Sequence, residues 1–204
     1  KLAEYYHVYT LDMRNHGESE HNATMDYPSM SADVELFLNS QKLDRANILG
    51  HSMGGKTAMW LALSRPERIN KLIVADIAPV SYRHSFDNLI QALKELPLEQ
   101  LTNRKQADVL LSSAIPESSF RQFLLQNLVL NEGKYSWRID LDIFSNTADN
   151  IIAFPDTEAM PAYSKKVLFL AGELSNYTDQ ESIENLFPKA EIQTISGADR
   201  KSVV

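Results

Sequence analysis

The sequence predicts an α/β fold: a mostly parallel sheet with helices on both faces, interrupted by a helical insertion. Three observations predict it. Short runs of β-branched and aromatic residues alternate with segments of helical spacing over residues 1–78. The alternation stops over residues 79–161, where apolar residues recur mainly at helical spacing. It resumes over residues 162–198. Strands that alternate with helices along the chain are joined by crossovers, and crossovers make neighbouring strands parallel.

The elements follow in order. Residues 7–12 end a run of Val8, Tyr9 and Leu11 on polar residues and read as a buried strand. Asn15 to Asn22 are turn formers. Residues 29–41 place Met30, Val34, Phe37 and Leu38 on one helical face, with Ser29 or Ser31 as N-cap. Residues 46–50 form a second strand and 53–64 a helix stopped by Pro66. Residues 70–76 form a third strand. In the insertion, 86–96, 98–112 and 117–130 read as helices, 131–134 as a turn and 135–139 as a short extended piece. Beyond it, residues 166–171 form a strand, 179–187 a helix and 190–195 another strand.

Composition narrows the function. The chain has 204 residues, which suits one domain with a modest insertion. It is 44% hydrophobic and 23% charged, an ordinary globular balance. The formal net charge of −7 argues against nucleic acid as a partner. With no cysteine, disulfides, Cys-ligated zinc and thiol catalysis are excluded. No apolar run is long enough for a membrane span. The first residues lack the apolar centre of a signal peptide, and a cytoplasmic location is expected.

Gly50-His-Ser-Met-Gly54 carries the chemistry. It fits G-x-S-x-G, and it sits after a predicted strand and opens a predicted helix. A serine hydroxyl attacks well only when a tight turn presents it free of neighbours, and the flanking glycines are expected to give that room. Ser52 is therefore the candidate nucleophile. The N–H of Met53, at the helix N-terminus, is placed to stabilise an oxyanion. His51 is expected to line the pocket rather than act as base.

Asp12-Met-Arg-Asn-His-Gly-Glu-Ser19 resembles the D-x-R-x-x-G-x-S loop of many α/β-hydrolases. Together with Tyr27-Pro28, Gly54-Gly-Lys56 and Asp76-Ile-Ala-Pro79, it makes the chain similar to the YbfF-type esterase family, whose eukaryotic relatives are abhydrolase-domain proteins. The resemblance implies an α/β-hydrolase fold with a helical cap at 79–161. It implies cleavage of carboxylic esters or thioesters, acyl-CoA types included, through a Ser-Asp-His mechanism and an acyl-enzyme. The implied partner is a small acyl ester or thioester, with no metal or organic cofactor.

Many α/β-hydrolases carry the triad acid in a G-x-x-D segment, but the matching segment here is Gly172-Glu-Leu-Ser175. Asp76 ends the strand after the nucleophile helix, at the carboxyl edge of the sheet where ligands bind, and the resemblance points to it. Asp76 is favoured, Glu173 is the alternative, and Ser175 is an assisting residue. Asp179 is read as the cap of the helix that follows it. The five histidines are His7, His16, His21, His51 and His84. Only His84 follows Asp76, and it reads as a polar residue of the insertion. The base is expected just past Ser196-Gly-Ala198, where the family has a histidine. Asp199 to Val204 instead read like a translated sequencing adapter, a non-native tail. The N-terminus also reads as cut, since a strand and a His-Gly loop are expected before His7, and the chain as it stands is expected to be inactive. His16, Phe123 and Trp137 are pocket candidates, with Phe86 and Phe120 beside them, against a plainer reading as internal packing. The rival functions are another serine-nucleophile hydrolase, such as a C–C hydrolase, a menaquinone-pathway lyase or an aminopeptidase, and a non-catalytic binding protein on the same fold.

Overall fold

The computed structural model describes residues 1–83 and 85–198. His84 and the expected non-native tail, 199–204, lie outside them. In chain order the elements are α1 (Tyr27–Ser40), β1 (Ala46–His51), α2 (Met53–Ser64), β2 (Ile69–Ala75), α3 (Asp87–Lys94), α4 (Arg104–Leu111), α5 (Ser118–Leu124), β3 (Leu128–Asn131), β4 (Lys134–Trp137), α6 (Leu141–Ile152), β5 (Val167–Gly172), α7 (Gln180–Leu186) and β6 (Ala190–Ile195). The described residues separate into two compact units. One comprises Lys1–Thr24 and Ser85–Asn146, the other 25–83 and 147–198. Among the described residues, no helix is long and apolar enough to cross a membrane.

The second unit holds a parallel sheet in the order β1-β2-β5-β6. The central strands are the more buried: Leu72, Val74 and Ala75 on β2, and Val167, Phe169 and Ala171 on β5. β1 and β6 flank them and show more solvent-exposed positions, as strands with one neighbour do. Helix α2 packs on β1 and β2, and α1 packs on α2. α1 begins two residues before the expected segment. Asp26, not Ser29 or Ser31, caps it, its carboxylate accepting the Ser29 N–H at 2.7 Å. Pro28 suits the first turn that Asp26 opens, because its ring fixes φ and it has no N–H to satisfy. Asp179 does cap α7, accepting the Ser182 N–H at 3.0 Å.

The expected strand at residues 7–12 is not formed; the segment is largely exposed, with Val8, Tyr9 and Leu11 at least 40% open. Its residue types favour a strand, but a strand exists only through ladder bonds to a neighbour, and no described strand pairs with it.

In the first unit, Leu93, Leu96, Ala107, Leu111, Leu125, Leu128 and Leu141 form the core. Buried Arg121 braces it by donating to Asp108 at 2.8 Å and to the carbonyls of Ile115 and Pro116, each at 2.8 Å. Three expectations are corrected here. The helix expected over 98–112 is a 3-10 turn at Leu98–Gln100 followed by α4, because Asn103 starts a new helix by accepting the Gln106 N–H at 2.9 Å. The helix expected over 117–130 stops at Leu124, and Leu128–Asn131 pairs antiparallel with Lys134–Trp137 across a turn with Glu132 and Gly133 at positive φ. Helix α6 was not expected. Its signal was present in Asp140, whose carboxylate caps the N–H groups of Asp142 and Ile143 at 2.9 Å, and in the spacing Leu141, Phe144, Ala148, Ile152.

Candidate active site

Ser52 sits between β1 and α2 at φ 50 and ψ −117, a backbone conformation that a non-glycine residue rarely holds. Its neighbours impose it. The Ser52 N–H donates to the Ala75 carbonyl at 3.2 Å, and its own carbonyl accepts the Lys56 N–H at 3.0 Å. The chain turns so sharply that a Cβ on Gly50 would meet the Gly54 carbonyl and lie 2.7 Å from the Gly55 nitrogen. A Cβ on Gly55 would lie 2.6 Å from Ile77 Cγ2. Gly54 is different: a Cβ there meets nothing within 4 Å. Room at the turn thus depends on Gly50 and Gly55, and Gly54 faces open space. Met53 opens α2, so its N–H is among those a helix leaves without an internal partner.

Asp76 arrives beside the turn by register. β1 and β2 are parallel with Gly50 opposite Val74 and His51 opposite Ala75, so Ser52 and Asp76 come next on the two strands. Asp76 is fully buried and also at positive φ, 51. Its carboxylate accepts the Gly172 N–H at 3.2 Å and the Ser175 hydroxyl at 2.7 Å. Buried polar oxygens without donors would be costly, and these two bonds supply them.

The model of the α/β hydrolase fold family matches residues 1–201. The chain belongs to the α/β-hydrolase family. The sn-1-specific diacylglycerol lipase ABHD11 of Xenopus laevis is 42% identical over 200 residues, which are 94% of this chain and 64% of that protein. Esterase YbfF of Escherichia coli is 34% identical over 203 residues, covering 97% of this chain and 76% of that esterase. The solved structure of a marine microorganism esterase superposes with a TM-score of 0.91 at 40% identity, over 98% of this chain and 80% of that one. The chain spans 62% to 64% of the length of the frog, fish and mouse diacylglycerol lipases it matches.

Within this α/β-hydrolase, Ser175 is bonded to Asp76. It lies three residues past Gly172, and its hydroxyl points at Asp76. An Asp at 175 would set two carboxylates against each other, and like charges at that distance do not both ionise. Serine supplies a donor instead. Glu173 is exposed and turned away to the next loop, where it accepts the Gly197 N–H at 2.6 Å and the Ser196 hydroxyl at 2.9 Å. Those two donors hold its carboxyl below the ordinary glutamate range. The Ser196–Ala198 loop is further fixed by the Leu174 N–H on the Ala198 carbonyl at 3.0 Å and by buried Ala198 packing on Ala75. The chain therefore leaves Ala198 next to the residue that precedes Asp76.

The pocket candidates divide between the units. His51 ends β1 next to Ser52. His16, Phe123 and Trp137 belong to the first unit. Trp137 and Phe120 pack on that unit's own core, Phe86 packs on Phe144 at 5.7 Å between ring centres, and Phe123 is 53% exposed. The Asp12–Ser19 motif is a self-bonded loop. Asp12 accepts the Glu18 N–H at 3.0 Å and the Ser19 hydroxyl at 2.6 Å, and Gly17, at φ +56, lies so close that a Cβ would strike the Asp12 carboxylate. His16 in that loop bonds the Arg14 carbonyl through Nδ1 at 3.0 Å.

Proposed function

We propose that the protein is a serine hydrolase of carboxylic esters or thioesters, with Ser52 as nucleophile and Asp76 as the acid. The supporting observation is the register: two adjacent parallel strands end in a serine and a buried carboxylate, each at positive φ. Strain of this kind concentrates where a side chain must be aimed.

In the Ser-Asp-His mechanism that the family resemblance implies, a histidine takes the Ser52 hydroxyl proton while Oγ attacks the acyl carbon. Asp76 orients that histidine and stabilises it when charged. The Met53 N–H receives the oxyanion. The alcohol or thiol leaves with the proton. Water then gives its proton to the histidine and its hydroxide to the acyl carbon, releasing the acid and restoring Ser52. Relatives named as esterases and as a diacylglycerol lipase support acyl esters as substrates. Thioesters of the acyl-CoA type enter from the family resemblance. His51, next to Ser52, is the residue proposed to meet the acyl group.

The test is a fluorophosphonate probe on the full-length protein beside its Ser52→Ala variant. Labelling of the parent alone, with turnover of p-nitrophenyl esters, supports the reading. A folded parent that stays unlabelled would overturn it and favour a binding role on the same fold.

A further inference from the structure

Helix α2 carries one charged residue, Lys56, and its side chain is only 1% exposed. Its neighbours Gly55, Thr57, Ala58 and Met59 are buried too, so methionine would fill this place without desolvating a charge. The ammonium is instead fully engaged. Nζ donates to the carbonyls of Ile152 at 2.7 Å and Ala153 at 2.8 Å, and it lies 4.7 Å from the ring centre of Tyr82 and 5.5 Å from that of Tyr27. Those carbonyls form the negative end of α6, where a cation is favoured.

The surrounding bonds show what this anchor holds. Tyr27 Oη donates to the Ile151 carbonyl at 2.6 Å, the Tyr82 N–H to the Ile152 carbonyl at 3.2 Å, and the Phe154 N–H to Ser81 Oγ at 3.0 Å. The stretch just before residues 85–146 and the stretch just after them are thereby fastened to each other and to α2. Tyr82 continues the chain of bonds. Its hydroxyl accepts the Ala78 N–H at 3.0 Å and donates to the Tyr177 carbonyl at 2.6 Å. The Tyr177 N–H donates to Ser175 Oγ at 3.3 Å, and that hydroxyl donates to Asp76.

We propose that Lys56 and Tyr82 are positioning residues that set Ser52 and Asp76 relative to each other. Lys56 fixes the helix whose N-terminus presents Ser52, and Tyr82 carries the anchor through Tyr177 and Ser175 to the Asp76 carboxylate. The inference rests on the reading of Ser52 as nucleophile and Asp76 as acid. Hydrophobic filling at 56 would leave the carbonyls of Ile152 and Ala153 without their cation, and α2 free to slide.

The experiment uses Tyr82→Phe and Lys56→Met in the full-length protein. Tyr82→Phe keeps the ring and removes one hydroxyl, so it stays informative if Lys56→Met does not fold. Active sites are titrated with the fluorophosphonate, and kcat per titrated site, KM for a short-chain ester and Tm are read together. The expected result is a fall of about tenfold in kcat per site with KM within about twofold, the signature of lost alignment rather than lost binding. A parental kcat per site in Tyr82→Phe, whatever its Tm, would overturn the inference. So would an effect confined to KM or to the number of titratable sites. An unlabelled parent would overturn the serine-hydrolase reading and this inference with it, whereas a labelled parent with unaltered variants removes this inference alone.

Discussion

Replacing Gly50 with alanine tests the geometry of the turn at its tightest point. The added methyl would meet the Gly54 carbonyl and come within 2.7 Å of the Gly55 nitrogen, below the 3.0 Å that real Cβ contacts respect. Both obstacles are backbone in the first turn of α2, so no side chain can swing aside. Reaching an ordinary contact of 3.4 Å requires that turn to move by at least 0.7 Å, the difference between 3.4 and 2.7. Overpacking of this kind costs about 1–3 kcal/mol. For a chain of this size that lowers Tm by roughly 2–12 °C. The moving turn carries Ser52 and Met53, and a misplacement approaching 1 Å costs up to about a hundredfold in rate. Calorimetry and the rate of fluorophosphonate labelling measure both. Gly54→Ala is the control, because its Cβ meets nothing; it should hold or raise Tm by the entropy of the unfolded chain, about 0.4–1 kcal/mol. A Gly50→Ala protein with parental Tm and labelling rate would refute the claim that backbone crowding shapes the turn.

Three further outcomes are expected. Asp76→Asn should lower kcat by about 10⁴, as loss of a triad acid does, while Glu173→Gln lowers it less than about tenfold; steady-state kinetics on both variants measure this, and the reverse order would make Glu173 the acid. Ser175→Ala removes a hydrogen bond to a buried carboxylate, worth about 1.5–3 kcal/mol, so kcat/KM should fall about 10–150-fold and Ser175→Thr should restore part of it. Glu173 gives a pH dependence. Its folded carboxyl titrates below its unfolded value, so its hold on Gly197 and Ser196 is complete above the ordinary glutamate range and is lost as pH falls through the lowered value. Tm measured from about pH 6 down to about pH 3 should therefore fall more steeply for the parent than for Glu173→Gln.

The sheet was legible in the sequence wherever a strand pairs with another described strand. β1, β2, β5 and β6 lie within one or two residues of their expected positions, because buried parallel strands leave continuous apolar runs such as Leu72 to Ala75. Residues 7–12 carry the same kind of run without a neighbour, and a run is not a ladder. Helix ends were less legible, since a cap depends on which side chain reaches back to the N–H groups. Asp26 and Asn103 do so, while Ser29 and Ser31 lie inside α1. The β3–β4 hairpin was masked by Leu124, Leu125 and Leu128, whose spacing also fits a helix. At the candidate site, the tight strand-to-helix turn at Ser52 was readable from the glycines around it. The carboxylate partner of Ser175 was not readable, because a contact across 99 positions leaves no local pattern. Lys56 left a faint signal, a lone charge in the small and apolar run Met53–Ser64.

The central claim is that Ser52 is an activated nucleophile. The most direct measurement is mass spectrometry of the full-length protein after reaction with a fluorophosphonate, followed by tryptic mapping. One adduct is expected, carried by the peptide of residues 46–56 and located on Ser52, and none in Ser52→Ala. An adduct on another serine, or a folded protein that gains no mass, would contradict it.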